Sequence, residues 1–384
     1  MAAPGRRAEP GPWMPAPPAP LSQTLRRTAE TLLVAGVGGF LFDLAKFPAG
    51  WISGAMVFSA TAALAGRDIG LPMPLLRAFF IVLGLSIGAV ATPKTVAGMA
   101  AWPLSIAGVT LAMAAVTLGT VAYLKRVHGW DTLTAVFGGI PGGLSQVMVL
   151  AAEQGLDLRP IAIVQSMRVI ILAVCVPAGL GLSGLAGPAR LPPGSVAIAD
   201  APWELAILVV PAVVVALTLL RLGFPGGLIF GPMIVSGILH GGDYVHITFP
   251  QWFANIAMVA LGSLAGSRFT GTPFRVLVGY LGAAFGSFLV AIVIAAGFAA
   301  GVTFFLSLRV SDLVVAYAPG SIDAMMILAL ALHLDPVFVG AHHLVRVFTV
   351  TLALPIITRA LTPAGAKKTR SGRPIRPTGE DLGT

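Results

Sequence analysis

Charge is scarce in this chain. Only 10% of its 384 residues are Asp, Glu, Lys or Arg, against about 25% in an ordinary soluble domain. Hydrophobic residues make up 57% and the mean hydropathy is +0.91. A soluble fold of this size could not cover so much apolar surface, so the bilayer must be the solvent for most of it. Cysteine is nearly missing: the single Cys175 lies in an apolar run, which rules out an intrachain disulfide framework and reads as packing. There is no nucleophile elbow, Walker loop or dinucleotide fingerprint, and no His, Asp and Glu set at metal-ligand spacing. No residue pattern therefore points to a catalytic site, a metal or a cofactor, and an enzyme is not expected. No apolar core precedes a small-residue cleavage site near the start. Residues 1–20 hold seven prolines, and 1–28 read as a disordered cytoplasmic tail rather than a signal peptide.

Glycine (46) and proline (30) are plentiful, which membrane helices tolerate. Apolar segments fall at 29–45, 48–65, 76–92, 96–123, 131–153, 160–186, 202–221, 225–240, 252–267, 274–300, 309–332 and 336–361. A span needs about 20 residues, and several of these are shorter, so the expectation is an all-α polytopic membrane protein with ten to twelve transmembrane segments. Residues 29–186 form a first half, 187–201 a turn-rich linker, 202–362 a second half and 363–384 a disordered basic tail. The net charge of +9 sits largely in the two tails and implies cytoplasmic termini rather than nucleic-acid binding. With twelve spans, sixteen Lys and Arg fall on the side of the termini and six on the other, where Arg268 is counted as a loop residue. These features suit a multi-pass protein of a bacterial-type inner membrane.

The halves repeat each other 178 residues apart. Pro141-Gly142-Gly143-Leu144-Ser145-Gln146 answers to Pro319-Gly320-Ser321-Ile322-Asp323-Ala324, and the same offset pairs Gly84 with Gly262, Gly88 with Gly266, Asp157 with Asp335, Arg168 with Arg346 and Pro177 with Pro355. One residue out of step, Phe47-Pro48-Ala49-Gly50 matches Phe224-Pro225-Gly226-Gly227. The shift of loop charge between halves favours an inverted repeat over a direct one.

Four groups of residues are candidates for a solute site. Pro141 and Pro319 should each break a helix, and the half-helix beginning near Gly142 and Gly143, or Gly320 and Ser321, would offer free N–H groups and a positive dipole end. Arg168 and Arg346 lie eight to ten residues into apolar segments, near the bilayer centre, where a guanidinium must be partnered. Two uses fit them equally: a midplane anion site, or a brace for the carbonyls of the broken helices. Asp323 falls on the first turn after the second break and could cap N–H groups or exchange a proton; its counterparts in the first half are Ser145 and the adjacent Gln146. His343, with His342, can share a helix face with Arg346 and reads as polar packing or a gating group. Asp157 and Asp335 read as helix caps. The repeated Gly84…Gly88 and Gly262…Gly266 read as close helix contacts.

The Pro141-to-Gln146 motif, Gln165-Ser166-Met167-Arg168, Phe224-Pro225-Gly226-Gly227…Gly231-Pro232-Met233 and Ala318-Pro319-Gly320…His343-Leu344-Val345-Arg346 together resemble the AbrB membrane protein family, over about residues 30–362. The resemblance implies two AbrB duplication domains. Members are often labelled ammonia monooxygenase or AbrB family transcriptional regulator, and neither label follows from the residues. The family often has Glu at the position of Gln146 and Pro-Gly-Gly at Pro319-Gly320-Ser321, so a proton-carrying role does not transfer to Gln146. The layout also looks like that of the cation/proton antiporter and anion transporter superfamily, an analogy of fold. The expected function is secondary transport of a small, anionic solute, with regulation of gene expression through a partner as the alternative and an ammonia monooxygenase-like enzyme as the third and least favoured reading. Expected partners are the lipid bilayer, the solute or ion, and a second copy in a homodimer; direct nucleic-acid binding is not expected.

Overall fold

A computed structural model describes residues 20–90, 102–185, 201–247 and 249–361. Among these residues the chain is helical throughout, with fourteen α-helices and one short 3₁₀ turn, and the helices fall into two series of seven. The first series is α1 (Leu21–Leu44), α2 (Gly50–Leu64), α3 (Met73–Ala89), α4 (Trp102–His128), α5 (Thr132–Gly139), α6 (Leu144–Glu153) and α7 (Leu158–Leu182). The second is α8 (Pro202–Arg221), α9 (Gly227–Gly241), α10 (Gln251–Gly266), α11 (Phe274–Thr303), α12 (Val310–Tyr317), α13 (Ile322–Ala331) and α14 (Pro336–Leu361), with the 3₁₀ turn Ser267–Phe269 after α10. Both ends of α12 and α13 lie 178 residues beyond those of α5 and α6.

The segments 131–153 and 309–332 each become two helices, of eight and ten residues, separated at 140–143 and 318–321. Local chemistry sets these limits. The Asp131 side chain accepts a hydrogen bond from the Thr134 amide at 3.0 Å and starts α5. Pro141 cannot continue it, and Gly142 and Gly143, at φ 94° and 66°, carry the chain through the left-handed region into α6. Asp157 accepts from the Arg159 amide at 3.0 Å, and Asp335 from the Val337 and Phe338 amides at 3.0 Å each, so both are the helix caps their positions suggest.

Among the described residues, five helices are long and apolar enough to cross a membrane: α4, α7, α8, α11 and α14. The other expected segments, apart from the one in α1, are short or broken. Helices α2, α3, α9 and α10, with 15 to 17 residues, reach about 23–26 Å at about 1.5 Å per residue, less than the core of about 30 Å. Helix α1 begins at Leu21, eight residues inside the expected tail. Its polar first turns are held to the loop after α2, where Arg27 pairs with Asp68 at 3.1 Å and Arg67 with Glu30 at 3.4 Å. The tail to residue 19, the linker 186–200 and the end from 362 lie outside the described residues.

The short helices are gripped across the halves. Any side chain at Gly84 or Gly88 of α3 would strike the Ile229 or Met233 carbonyl of α9. The repeat-equivalent Gly262 and Gly266 of α10 lie in the same way against Ile52 and Met56 of α2. The exchange is reciprocal, and one hydrophobic cluster containing Ile52, Met56, Leu83, Ile229, Met233 and Met258 spans both halves. Helices α4 and α11, equivalents in the repeat, pack antiparallel: Gly108 lies against Val302, Gly119 against Ile294 and Val290, and the Tyr123 hydroxyl donates to the Gly282 carbonyl at 3.1 Å.

Candidate functional site

The breaks place two C-terminal helix ends, each with free carbonyls and a partial negative charge, inside apolar protein. An unmatched carbonyl there costs about 1–3 kcal/mol. Arg168 and Arg346 supply the match. Arg168, 2% exposed, donates to the Gly139 carbonyl at 3.3 Å and the Ile140 carbonyl at 3.0 Å. Arg346, 3% exposed, donates to the Ala318 carbonyl at 2.7 Å and the Gly320 carbonyl at 2.5 Å. Of the two uses open to them, the structure has both guanidinium groups bracing the broken helices. In both, the Nε atom is buried without a hydrogen-bond partner.

Beside each arginine a second side chain holds the same half-helix. The His343 ring bridges the Val315 carbonyl, 3.0 Å from its Nε2, and the Arg346 guanidinium at its Nδ1. Donation from Nε2 to the carbonyl leaves Nδ1 as the acceptor for Arg346, which fixes the neutral tautomer. In the first half, Gln165 Nε2 donates to the Phe137 carbonyl at 2.7 Å, the same position in the repeat. Gln165 stood out only as part of the family motif; the 178 offset, which sets it on His343, is the signal that marks its role. The second half is further tied to α4, where the Tyr317 hydroxyl donates to the Ser105 carbonyl at 2.6 Å and His342 Nε2 lies 2.9 Å from the Ser105 hydroxyl.

The two breaks come together. A Cβ built on Gly142 would lie 3.5 Å from Arg346 Nε and 3.9 Å from the Gly320 carbonyl oxygen. Pro141, Pro319, Tyr317 and Arg346 line one cavity of about 210 Å³ with four apolar residues of α4. The guanidinium groups of Arg168 and Arg346 are close enough to repel each other. Of the residues expected to bind solute, the structure thus gathers Arg168, Arg346, Gly142, Gly143, Gly320 and His343 at this crossing. The Gln146 carboxamide oxygen turns back toward Gly143. The backbone of Ser145 lies in the first turn of α6, and its side chain is outside the described residues.

Asp323 stands apart. It lines a second cavity, of about 280 Å³, with Ser321 and Arg268 between α2, α3, α10 and α13. Arg268, counted as a loop charge from sequence, turns inward from the 3₁₀ turn and faces Asp323. Because that guanidinium is buried, it does not report on which side of the membrane the loop lies. Ser321 ties the two cavities to the same break, one on each flank of Pro319-Gly320. Among the described residues no three His, Cys, Asp or Glu side chains group as a metal site.

The family described as "Transition state regulatory protein AbrB" matches residues 2–88 and 51–362. The chain belongs to the AbrB family. Two curated members are similar over nearly all of their length. "Putative regulator AbrB" of Escherichia coli (strain K12) is 26% identical over 340 residues, covering 86% of this chain and 94% of that one. "Uncharacterized protein YhjN" of Bacillus subtilis (strain 168) is 26% identical over 362 residues, covering 86% and 92%. No solved structure matches the chain.

Proposed function

We propose that this AbrB family protein is a secondary transporter of a small solute bearing an anionic group, built as an inverted repeat, rather than an enzyme. The meeting of the two breaks carries the reading. Irregular backbone at membrane depth is tolerated only where protein or a water-filled cavity satisfies it, and discontinuous helices that meet between two repeats are a recurrent way to form a solute site. The antiparallel packing of the equivalent helices α4 and α11 supports opposite orientations for the halves. Two buried arginines, Arg168 and Arg346, make the crossing positive, which favours an anionic group. Pro319 lines one cavity and Ser321 the other, so the second break borders both.

Reconstitution tests this. A panel of small organic anions is offered to proteoliposomes and uptake is followed, with Arg346→Ala as the control that should lose it. No uptake above the control for any solute would contradict the reading. The regulator name of the Escherichia coli relative favours a second reading, a membrane-embedded regulator acting through a partner. In that case effects on gene expression would survive substitutions that fill the crossing, such as Ala112→Leu beside Pro141 and Pro319.

A further inference from the structure

Arg268 and Asp323 carry opposite charges into one small cavity and do not close into an ion pair. Their charges act on each other, and both line one narrow, partly open space between α2, α3, α10 and α13. Arg268 Nη1 is buried and has no hydrogen-bond partner. The walls between the charges are apolar: Met56, Phe80, Leu261, Leu264 and Ile327. A buried guanidinium with a spare donor wants an oxyanion, and a carboxylate across an apolar gap wants a cation. A lone anion bound to Arg268 would lie against Asp323; a lone cation bound to Asp323 would lie against Arg268. A molecule with both charges a few atoms apart satisfies both groups. The repeat sharpens the point, because the first half has Val90 and Ser145 at the positions of Arg268 and Asp323, so the charges are absent together.

We infer that this cavity is the binding site of a small zwitterion of the α-amino acid class. Its carboxylate sits on Arg268 and the Ser321 hydroxyl, its ammonium on Asp323, and its short apolar side chain against Met56, Phe80 and Leu261. The inference rests on the transport reading for its purpose but not for its geometry.

Three related probes separate the possibilities: L-alanine with both charges, and its two fragments, propionate with the carboxylate alone and ethylamine with the ammonium alone. Binding is measured by calorimetry on the purified full-length protein in lipid nanodiscs. L-alanine should bind at least tenfold more tightly than either single-charge probe. Arg268→Gln and Asp323→Asn should each reduce L-alanine affinity at least tenfold. Asp323→Asn should at the same time strengthen propionate, a reversal that loss of folding could not produce. Propionate binding to the unaltered protein as tightly as L-alanine, or no binding of any probe, would overturn the inference. Uptake of the same probes into proteoliposomes separates the two claims. Selective L-alanine binding without uptake would leave the site standing and sink the transport reading. Uptake of propionate, lost in Arg346→Ala, without L-alanine binding would do the reverse.

Discussion

Arg168 and Arg346 show how a charge survives at the centre of an apolar bundle without a carboxylate. Each forks onto two carbonyls that a helix break has freed. Gly139 also accepts from the Thr120 hydroxyl and Ala318 from the Gly320 amide, so removing the arginine orphans the Ile140 or the Gly320 carbonyl. At about 1–3 kcal/mol per buried unmatched carbonyl, Arg346→Ala should lower the unfolding temperature in detergent markedly. Arg346→Lys should recover only part of the loss, because an ammonium cannot fork; full recovery in a thermal scan would argue against the brace. The sequence marked both arginines by depth and left their use open, since depth does not say what lies within reach of the guanidinium. Arg268 was not legible as a buried group, because a position at a helix end does not reveal that its side chain turns inward. Outside the spanning segments, His246 makes a separate prediction. A hydrogen bond donated by its Nε2 to the Asp243 carboxylate, at 2.9 Å, and the nearby Glu204 raise its pKa above the usual histidine value. A raised folded value stabilises the protein below the unfolded pKa of about 6.5 and loses that contribution as pH climbs through the folded value. Thermal stability should therefore fall as pH rises above about 6.5, and His246→Gln should flatten that part of the profile.

The elements follow from glycine and proline more than from apolar periodicity. Pro141 and Pro319 divide two apolar segments, and the equivalent half-helices match in length to the residue. The repeated Gly84…Gly88 and Gly262…Gly266 were readable as close contacts from spacing alone. Their partners were not, because spacing does not say that α3 reaches across to α9 while α10 reaches back to α2. Gly84→Leu should separate α3 from α9, and Gly262→Leu should separate α10 from α2, by the same mechanism. Overpacking of this kind costs about 1–3 kcal/mol or more, so both should lower the yield of folded protein and the unfolding temperature to similar extents. Unequal effects, with one variant near the unaltered protein, would show that the two contacts are not equivalent. Helix α1 was misjudged at its start because Arg26 and Arg27 look like tail residues in an apolar chain, yet Arg27 pairs with Asp68 in the loop after α2.

At the scale of the molecule, each half buries its short helices against the other, so neither is expected to fold alone. The matching of α5 and α6 with α12 and α13 was legible from the offset of 178; the orientation of the halves was not, since Arg268 is no loop charge and the remaining loop charges are few. Opposite orientation puts the loop after α2 and the loop after α9 on opposite sides of the membrane. In a Cys175→Ser background, Arg67→Cys and Tyr244→Cys should react with an impermeant thiol reagent from opposite faces of oriented vesicles; reaction from one shared face would make the repeat direct. The central claim, that solute passes through the crossing of the two breaks, is tested most directly at Ser321, which borders the second break and lines the Asp323 cavity. In the same background, Ser321→Cys should be modified by the impermeant reagent added to either side, and L-alanine should protect it from both. Modification from one side only, unchanged by any small solute, would contradict a transport path.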